Sequence, residues 1–336
     1  MTARGSIPAL LLCTLNALCG GSAMPVHPLR VACLERGSES TPPLPATRDG
    51  SYPRELARLL GEGYEVRSFP LMVPEQGEMQ GNVDPRGTAL GAWKPDIVLV
   101  APGDVDSSLT RGKPGSLTSD ALAHVVTGLG ALSSKPRIIL LLPPPSFPAS
   151  HQADSLLLVG TIQRIRSVAY GARCEVVDLH SLFLGNDEKG FGLPCASPVA
   201  PALIAGRLGE IITTEEVPGI DVSRVSSGTA ARSSYYGYEC WSFTFEGREA
   251  RIVCPKRTAR GSPWIRRARF WGHEPQTEIA LLERGFHVAY CDVAELFGNE
   301  EALGIWDRFY RALTGAGLGK KTVLEGLSRG GMYIYR

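Results

Sequence analysis

Apolar residues along this chain fall into two patterns. Some form short unbroken runs, as buried β-strands do; others recur every three or four positions, as on the inner face of a helix. In the first half, strands are expected over residues 29–34, 64–69, 96–101, 137–142 and 174–179, with helices over 52–60, 117–132, 155–170 and 201–212. The first helix carries its own punctuation: Ser51 as N-cap, Pro53 in the first turn and Gly61 beyond the last residue. Pro143-Pro144-Pro145 halts the fourth strand. Strands that alternate with helices in this way predict a parallel sheet covered on both faces.

Residues 213–236 are richer in Ser, Gly and Thr and weakly periodic, so a linker is expected there. A second α/β unit follows. Residues 241–245 and 249–253 read as a hairpin around Glu246-Gly247, 276–284 as a helix, 286–292 as a strand, 300–313 as a helix with one apolar face, and 321–325 as a further strand. No internal repeat is visible. The expected organisation is one unit over residues 28–212, a linker over 213–236 and a second unit over 238–336.

Composition adds little to this frame. Of 336 residues, 43% are hydrophobic and 21% charged, as in an ordinary soluble protein of about two domains. A net charge of +1 gives no global field toward nucleic acid or anionic lipid, so neither is expected as a partner. The local basic group of Lys256, Arg257, Arg260, Arg266, Arg267 and Arg269 reads as a solvated loop face rather than an acidic-ligand site. Residues 1–23 resemble an export signal: Arg4, an apolar run over 7–18, then Gly21-Ser22-Ala23 before Met24. That run is too short to span a membrane, so a secreted or periplasmic protein is expected; the alternative is that Met24 is the true start. Cys13 and Cys19 would leave with the signal. Cys33, Cys174, Cys195, Cys240, Cys254 and Cys291 form no metal-ligand spacing, so no metal or other cofactor is expected. Most lie in expected strands and read as buried free thiols. Cys240 and Cys254, nearly symmetric about Glu246-Gly247, are spaced to allow a cross-strand disulfide.

Candidate chemistry concentrates at Gly326-Leu327-Ser328-Arg329-Gly330. A strand precedes it, a helix follows, and small residues flank the turn, as a nucleophile elbow requires. Upstream lie Pro263-Trp264-Ile265 with Arg266-Arg267-Ala268-Arg269-Phe270-Trp271-Gly272, and the segment from Ala280 to Tyr290. With these, residues 238–336 resemble the N-terminal portion of an α/β-hydrolase of the serine esterase type. The resemblance implies that Ser328 is the nucleophile and that the backbone N–H of Arg329 is one oxyanion donor. The second donor would come from the loop near residues 265–270. The triad acid and base of that family follow the serine in the chain, so this sequence reads as a fragment truncated after the elbow. His287 is expected to be a core histidine and His273 an exposed loop residue, with substrate contact as the alternative for His273.

The first unit resembles the SGNH (GDSL-type) hydrolases through Val31-Ala32-Cys33-Leu34, Tyr52-Pro53-Arg54-Glu55-Leu56, Lys94-Pro95-Asp96-Ile97-Val98 and the proline run after Leu142. The family's catalytic positions are not matched. Where Gly-Asp-Ser belongs the chain has Glu35-Arg36-Gly37-Ser38-Glu39-Ser40, so only Ser38 or Ser40 could be forced into that role. The oxyanion glycine falls near Pro70, which has no N–H to donate. Val105 in Gly103-Asp104-Val105-Asp106 replaces the Asn donor, and the closing histidine motif is lost around Leu193-Pro194-Cys195-Ala196-Ser197. The implied fold class is α/β: an SGNH-like (flavodoxin-like) parallel three-layer sandwich followed by a truncated α/β-hydrolase sheet. The expected function is carboxylic-ester hydrolysis by an exported protein, on a small-molecule or polysaccharide ester, with a catalytically degenerate SGNH-like accessory unit. The rival is a non-catalytic secreted carbohydrate- or ligand-binding protein built from degenerate hydrolase domains. The sequence leaves the oligomeric state open.

Overall fold

The structure is a computed structural model that describes residues 27–35, 51–71, 88–102, 118–145, 152–184, 197–226 and 228–335. Its first sheet contains β1 (Leu29–Glu35), β2 (Tyr64–Pro70), β3 (Ile97–Ala101), β4 (Arg137–Leu142) and β5 (Glu175–Asp178). All pair in parallel, in the order β2-β1-β3-β4-β5. The period-2 alternation of the strands sends the unbroken apolar runs to both faces. Ala32, Leu34, Val98, Val100 and Leu140 pack with Leu122, Val126 and Leu129 of α3 (Ser119–Gly130) and Ile165 of α4 (Gln152–Ala172); Leu90 of α2 (Ala89–Trp93) joins this side. Val31, Cys33, Leu99, Ile139 and Leu141 face Leu56 of α1 (Tyr52–Leu60) and Leu208 of α6 (Ala200–Thr213), together with Leu179 of α5 (Leu179–Leu184). The strand expected over 174–179 covers only Glu175–Asp178, with Asp178 ending it. The Asp178 carboxylate accepts from the Ser181 N–H at 2.8 Å and starts α5.

The stretch expected as a linker is partly built into the second unit. Val222 and Val225 enter its core, β6 (Glu216–Val217) pairs with β10 (Thr258–Ala259), and β7 (Ala231–Tyr235) is an edge strand. The second sheet runs β13-β11-β12-β9-β8-β7, where β8 is Tyr238–Phe245, β9 Arg248–Cys254, β11 Trp264–Arg267, β12 His287–Cys291 and β13 Thr322–Glu325. Strands β11, β12 and β13 are parallel; β9 runs against β12 and against β8. Glu246 and Gly247, both at positive φ (50° and 78°), form the two-residue hairpin turn, and Phe245 pairs with Arg248.

That register decides the cysteine question. Glu239 faces Cys254 and Cys240 faces Val253, so the two cysteines are one position out of step. They point to opposite faces of the sheet: Cys240 packs with Ile265 and Val288, Cys254 with the other core. The disulfide that the spacing allows does not form, and Cys33, Cys174, Cys240, Cys254 and Cys291 are free thiols, as expected for most of the chain's cysteines.

On one face of this sheet lies α8 (Glu300–Gly315), whose Ile305, Trp306, Phe309 and Leu313 cover Ala250, Ile252, Trp264 and Ala289. Asn299 caps it by accepting from Ala302 N–H at 2.9 Å. On the other face α7 (Gln276–Glu283) places Leu282 against Ile265 and Val288. Helix α7 also touches the first unit. Its Glu283 accepts from the Asp178 N–H and pairs with Arg207 of α6 at 2.9 Å. Arg166 of α4 pairs with Asp178 at 2.8 Å and donates to the Tyr236 carbonyl at 3.0 Å. These four charged side chains are buried, at 2% to 10% exposure. Among the described residues no helix is long and apolar enough to cross a membrane.

Candidate functional site

Strand β13 delivers the chain to the carboxyl end of the second sheet, where Glu325 pairs with Arg267 of β11. There the backbone reverses. Ser328 sits at φ +50°, a conformation that costs an L-residue about 1–3 kcal/mol and persists only when its surroundings enforce it. The Gly330 N–H donates to the Leu327 carbonyl at 2.7 Å and the Gly331 N–H to the Ser328 carbonyl at 3.0 Å, closing the turn into α9 (Gly330–Ile334). Gly326 is where the path is tightest: a Cβ there would lie 2.7 Å from the Gly330 carbonyl carbon and oxygen. Ser328 and Arg329 are both exposed.

The loop beyond β11, residues 268–275, packs beside this turn. A Cβ on Gly330 would meet Ala268 and Arg269 at 3.5–3.6 Å, and the Ala268 N–H donates to the Glu325 carbonyl at 2.9 Å. Phe270 (φ 54°), Gly272 (φ 73°) and Glu274 (φ 48°) bend the loop. The Phe270 ring lies under two guanidiniums, Arg269 at 5.2 Å and Arg329 at 5.9 Å. Trp271 packs on Tyr235 and Tyr290.

The basic run divides, contrary to the expectation of a solvated face. Arg266 and Arg267 are buried in β11 on opposite sides of the sheet, while Lys256 and Arg257 are half-buried and Arg260 is exposed. Arg266 lies against Trp264 and Trp306, and donates to the Trp306 carbonyl at 3.2 Å. Its pKa is lowered to about 10 by burial. Arg269 donates to the Ala294 carbonyl and approaches Glu295 at 3.5 Å.

Sequence reasoning overlooked a buried pair beneath the loop. Glu278 of α7 has one carboxylate oxygen on the Tyr235 hydroxyl (3.0 Å) and near Arg267 (3.6 Å), and the other without a hydrogen-bond partner. Burial, then the charge of Glu325, raise Glu278 to about 7. The only sequence signal was a glutamate on the apolar side of α7.

His287 is sealed in the core, as expected. Burial lowers it to about 4, and its Nε2 accepts from the Ile220 N–H at 3.5 Å. It pairs with Trp264, as Thr322 also does, and so stands at the amino end of the parallel strands. Ser328 leaves the opposite end, roughly 10 Å away at 3.3 Å per residue. His287 therefore cannot take a proton from Ser328. His273 is exposed on the loop, and no hydrogen bond joins it to Ser328 among the described residues. Described residues contain no cluster of three or more potential metal ligands.

The carboxyl ends of the first sheet are less informative. Pro70 closes β2 in register with Glu35, and burial raises the Glu35 carboxyl. Ser38, Ser40, residues 103–106, residues 193–196 and the expected signal at 1–23 lie outside the described residues.

No family model matches the chain. An acetylxylan esterase of Xylanibacter ruminicola is 24% identical over 182 residues, 48% of this chain. The match spans 38% of the length of that curated relative. Among solved structures, the acetyl xylan esterase AlAXEase aligns at 15% identity over 54% of this chain and 98% of its own, with a TM-score of 0.39. An acetylxylan esterase mutant from Geobacillus stearothermophilus aligns at 16% identity over 57% and 98%, TM-score 0.39. A gut microbial diltiazem-metabolizing enzyme aligns at 11% identity over 76% of this chain and 62% of its own, TM-score 0.36.

Proposed function

We propose that the chain carries the nucleophile-bearing part of a serine esterase, with Ser328 as nucleophile. The observation that carries this reading is the strained φ of Ser328 on a strand–turn–helix, flanked by a glycine that no other residue can replace without a clash. The site opens at the carboxyl ends of parallel β11 and β13, where α/β sheets bind their ligands. Ser328 Oγ attacks the ester carbonyl carbon, and its proton passes to a general base. The N–H of Arg329 and one from the loop after β11 hold the tetrahedral oxyanion. Collapse expels the alcohol, and water then releases the acid from the acyl-serine. His287 is excluded as that base by its place in the sheet, and no hydrogen bond joins His273 to Ser328 among the described residues.

The first unit acts as a non-catalytic scaffold, a reading supported by Pro70 at the end of β2 and by the buried charge pairs that join α7 to α4 and α6. The substrate class we assign is an acetylated or aryl-decorated polysaccharide or a smaller ester, met outside the cytoplasm; the acetylxylan esterase relative supports the acetyl ester. The test is fluorophosphonate labelling of the full-length protein together with acetate release from acetylated xylo-oligosaccharides. Labelling and acetate release that both vanish in Ser328→Ala support the reading. A full-length protein that binds such oligosaccharides but neither reacts nor releases acetate would be the non-catalytic binder instead.

A further inference from the structure

We propose that Arg267 is the positioning residue of this site, and that through it the N–H groups of Phe270 and Trp271 become the candidates for the second oxyanion donor; this rests on the esterase reading above. Arg267 is 1% exposed and belongs to no solvated face. Its Nε donates to the Arg269 carbonyl at 2.7 Å, and its Nη2 to the carbonyls of Phe270, at 2.9 Å, and His273. Its Nη1 pairs with Glu325 at 3.2 Å and approaches Glu278 at 3.6 Å. Glu325 directly precedes the tight Gly326. One planar, five-donor group thus joins three carbonyls of the loop to the strand that delivers the nucleophile, a set of bonds that lysine's single ammonium cannot reproduce.

The direction of those bonds matters. A trans peptide points its N–H opposite its C=O. With the Arg269 and Phe270 carbonyls drawn in to the guanidinium, the N–H groups of Phe270 and Trp271 face away from it. Neither N–H is used in a backbone hydrogen bond among the described residues. The start of the loop already touches the elbow: the Arg269 nitrogen would be 3.6 Å from a Cβ on Gly330. Burying an arginine costs several kcal/mol unless its donors are matched, and here the matches are spent on loop geometry.

The test uses the full-length protein as wild type, Arg267→Lys and Glu325→Gln. It reads hydrogen exchange over residues 268–274 and the rate of fluorophosphonate attachment to Ser328. In Arg267→Lys the loop amides should exchange at least about tenfold faster while β8 and β9 stay protected, and labelling should slow about a hundredfold, as when an oxyanion donor is lost. Glu325→Gln leaves the loop bonds in place, so loop exchange should stay within about twofold of wild type and labelling should slow about tenfold through a misplaced elbow. Wild-type exchange and labelling in Arg267→Lys would overturn the proposal. If that variant does not fold, unchanged labelling in Glu325→Gln overturns it alone. A wild type that cannot be labelled defeats the esterase reading instead, and loop exchange then decides whether Arg267 fixes the loop.

Discussion

At the scale of single residues, three buried titratable groups shift stability with pH, two in one direction and one in the other. Glu278 has a native pKa of about 7 against an ordinary 4.5, because burial and then the neighbouring Glu325 charge outweigh the attraction of Arg267. The native state therefore holds a proton that the unfolded chain has released, and stability is lost as pH rises from about 4.5 through 7. Glu283 is raised to about 7 as well, chiefly by burial, and adds a slope of the same sign. His287 is the reverse: its native pKa near 4 lies below the ordinary 6.5, so stability is lost as pH falls through that window. Urea midpoints measured from pH 4 to 8 should show Glu278→Gln flattening the neutral-side decline and His287→Leu flattening the acid-side one. A Glu278→Gln curve parallel to wild type between pH 4.5 and 7 would mean that Glu278 is ionised in the folded protein.

At the scale of elements, the elbow makes two glycines unequal although the motif treats them alike. Gly326→Ala forces a Cβ within 2.7 Å of Gly330 backbone, so about 2–3 kcal/mol of stability should be lost, together with fluorophosphonate labelling. Gly330→Ala meets neighbours only at 3.5 Å, an ordinary contact, and should cost less than about 1 kcal/mol. Thermal unfolding of the two variants checks the contrast. The motif was legible because steric demand at a tight turn writes itself as glycine. Helices such as α1 and α8 were legible too, since caps and apolar periodicity are local. Strand β11 was not. Its Trp264-Ile265-Arg266-Arg267 carries two charges, and charge in sequence signals water; only the structure shows Arg266 enclosed by two tryptophans and Arg267 by carbonyls and carboxylates. The disulfide option at Cys240 and Cys254 could not be decided from sequence for a related reason: near-symmetry about a turn does not fix register, and a one-residue offset moves a side chain to the other face. The partners of Glu278 lie far apart in the chain, at Tyr235, Arg267 and Glu325, while the loop bonds are local to Arg267 but leave no pattern that sets it apart from a solvated basic run.

At the scale of the whole molecule, the two sheets are joined through charges rather than an apolar seam alone. Arg166, Asp178 and Arg207 of the first unit converge on Glu283 and on the Tyr236 carbonyl of the second. A buried ion network of this kind gives little net stability when intact, yet removing one member strands the others without water. Helix α7 touches both units. Glu283 at its last residue holds the first unit, and Glu278 faces Arg267 under the loop beside Ser328. The scaffold role proposed for the first unit thus has a physical route, since a helix cannot shift at one end and stay fixed at the other. Glu283→Ala should cost about 3–5 kcal/mol in urea unfolding, the usual result of leaving a buried arginine unpaired. It should also split one cooperative transition into two, because what joins the units is weakened while each keeps its own core. The double variant Glu283→Leu with Arg207→Met, which removes both charges and refills the space, should recover most of that loss and restore the single transition. If Glu283→Ala instead costs under about 1 kcal/mol and unfolds in one step, the units are held by apolar packing and the scaffold route through α7 fails.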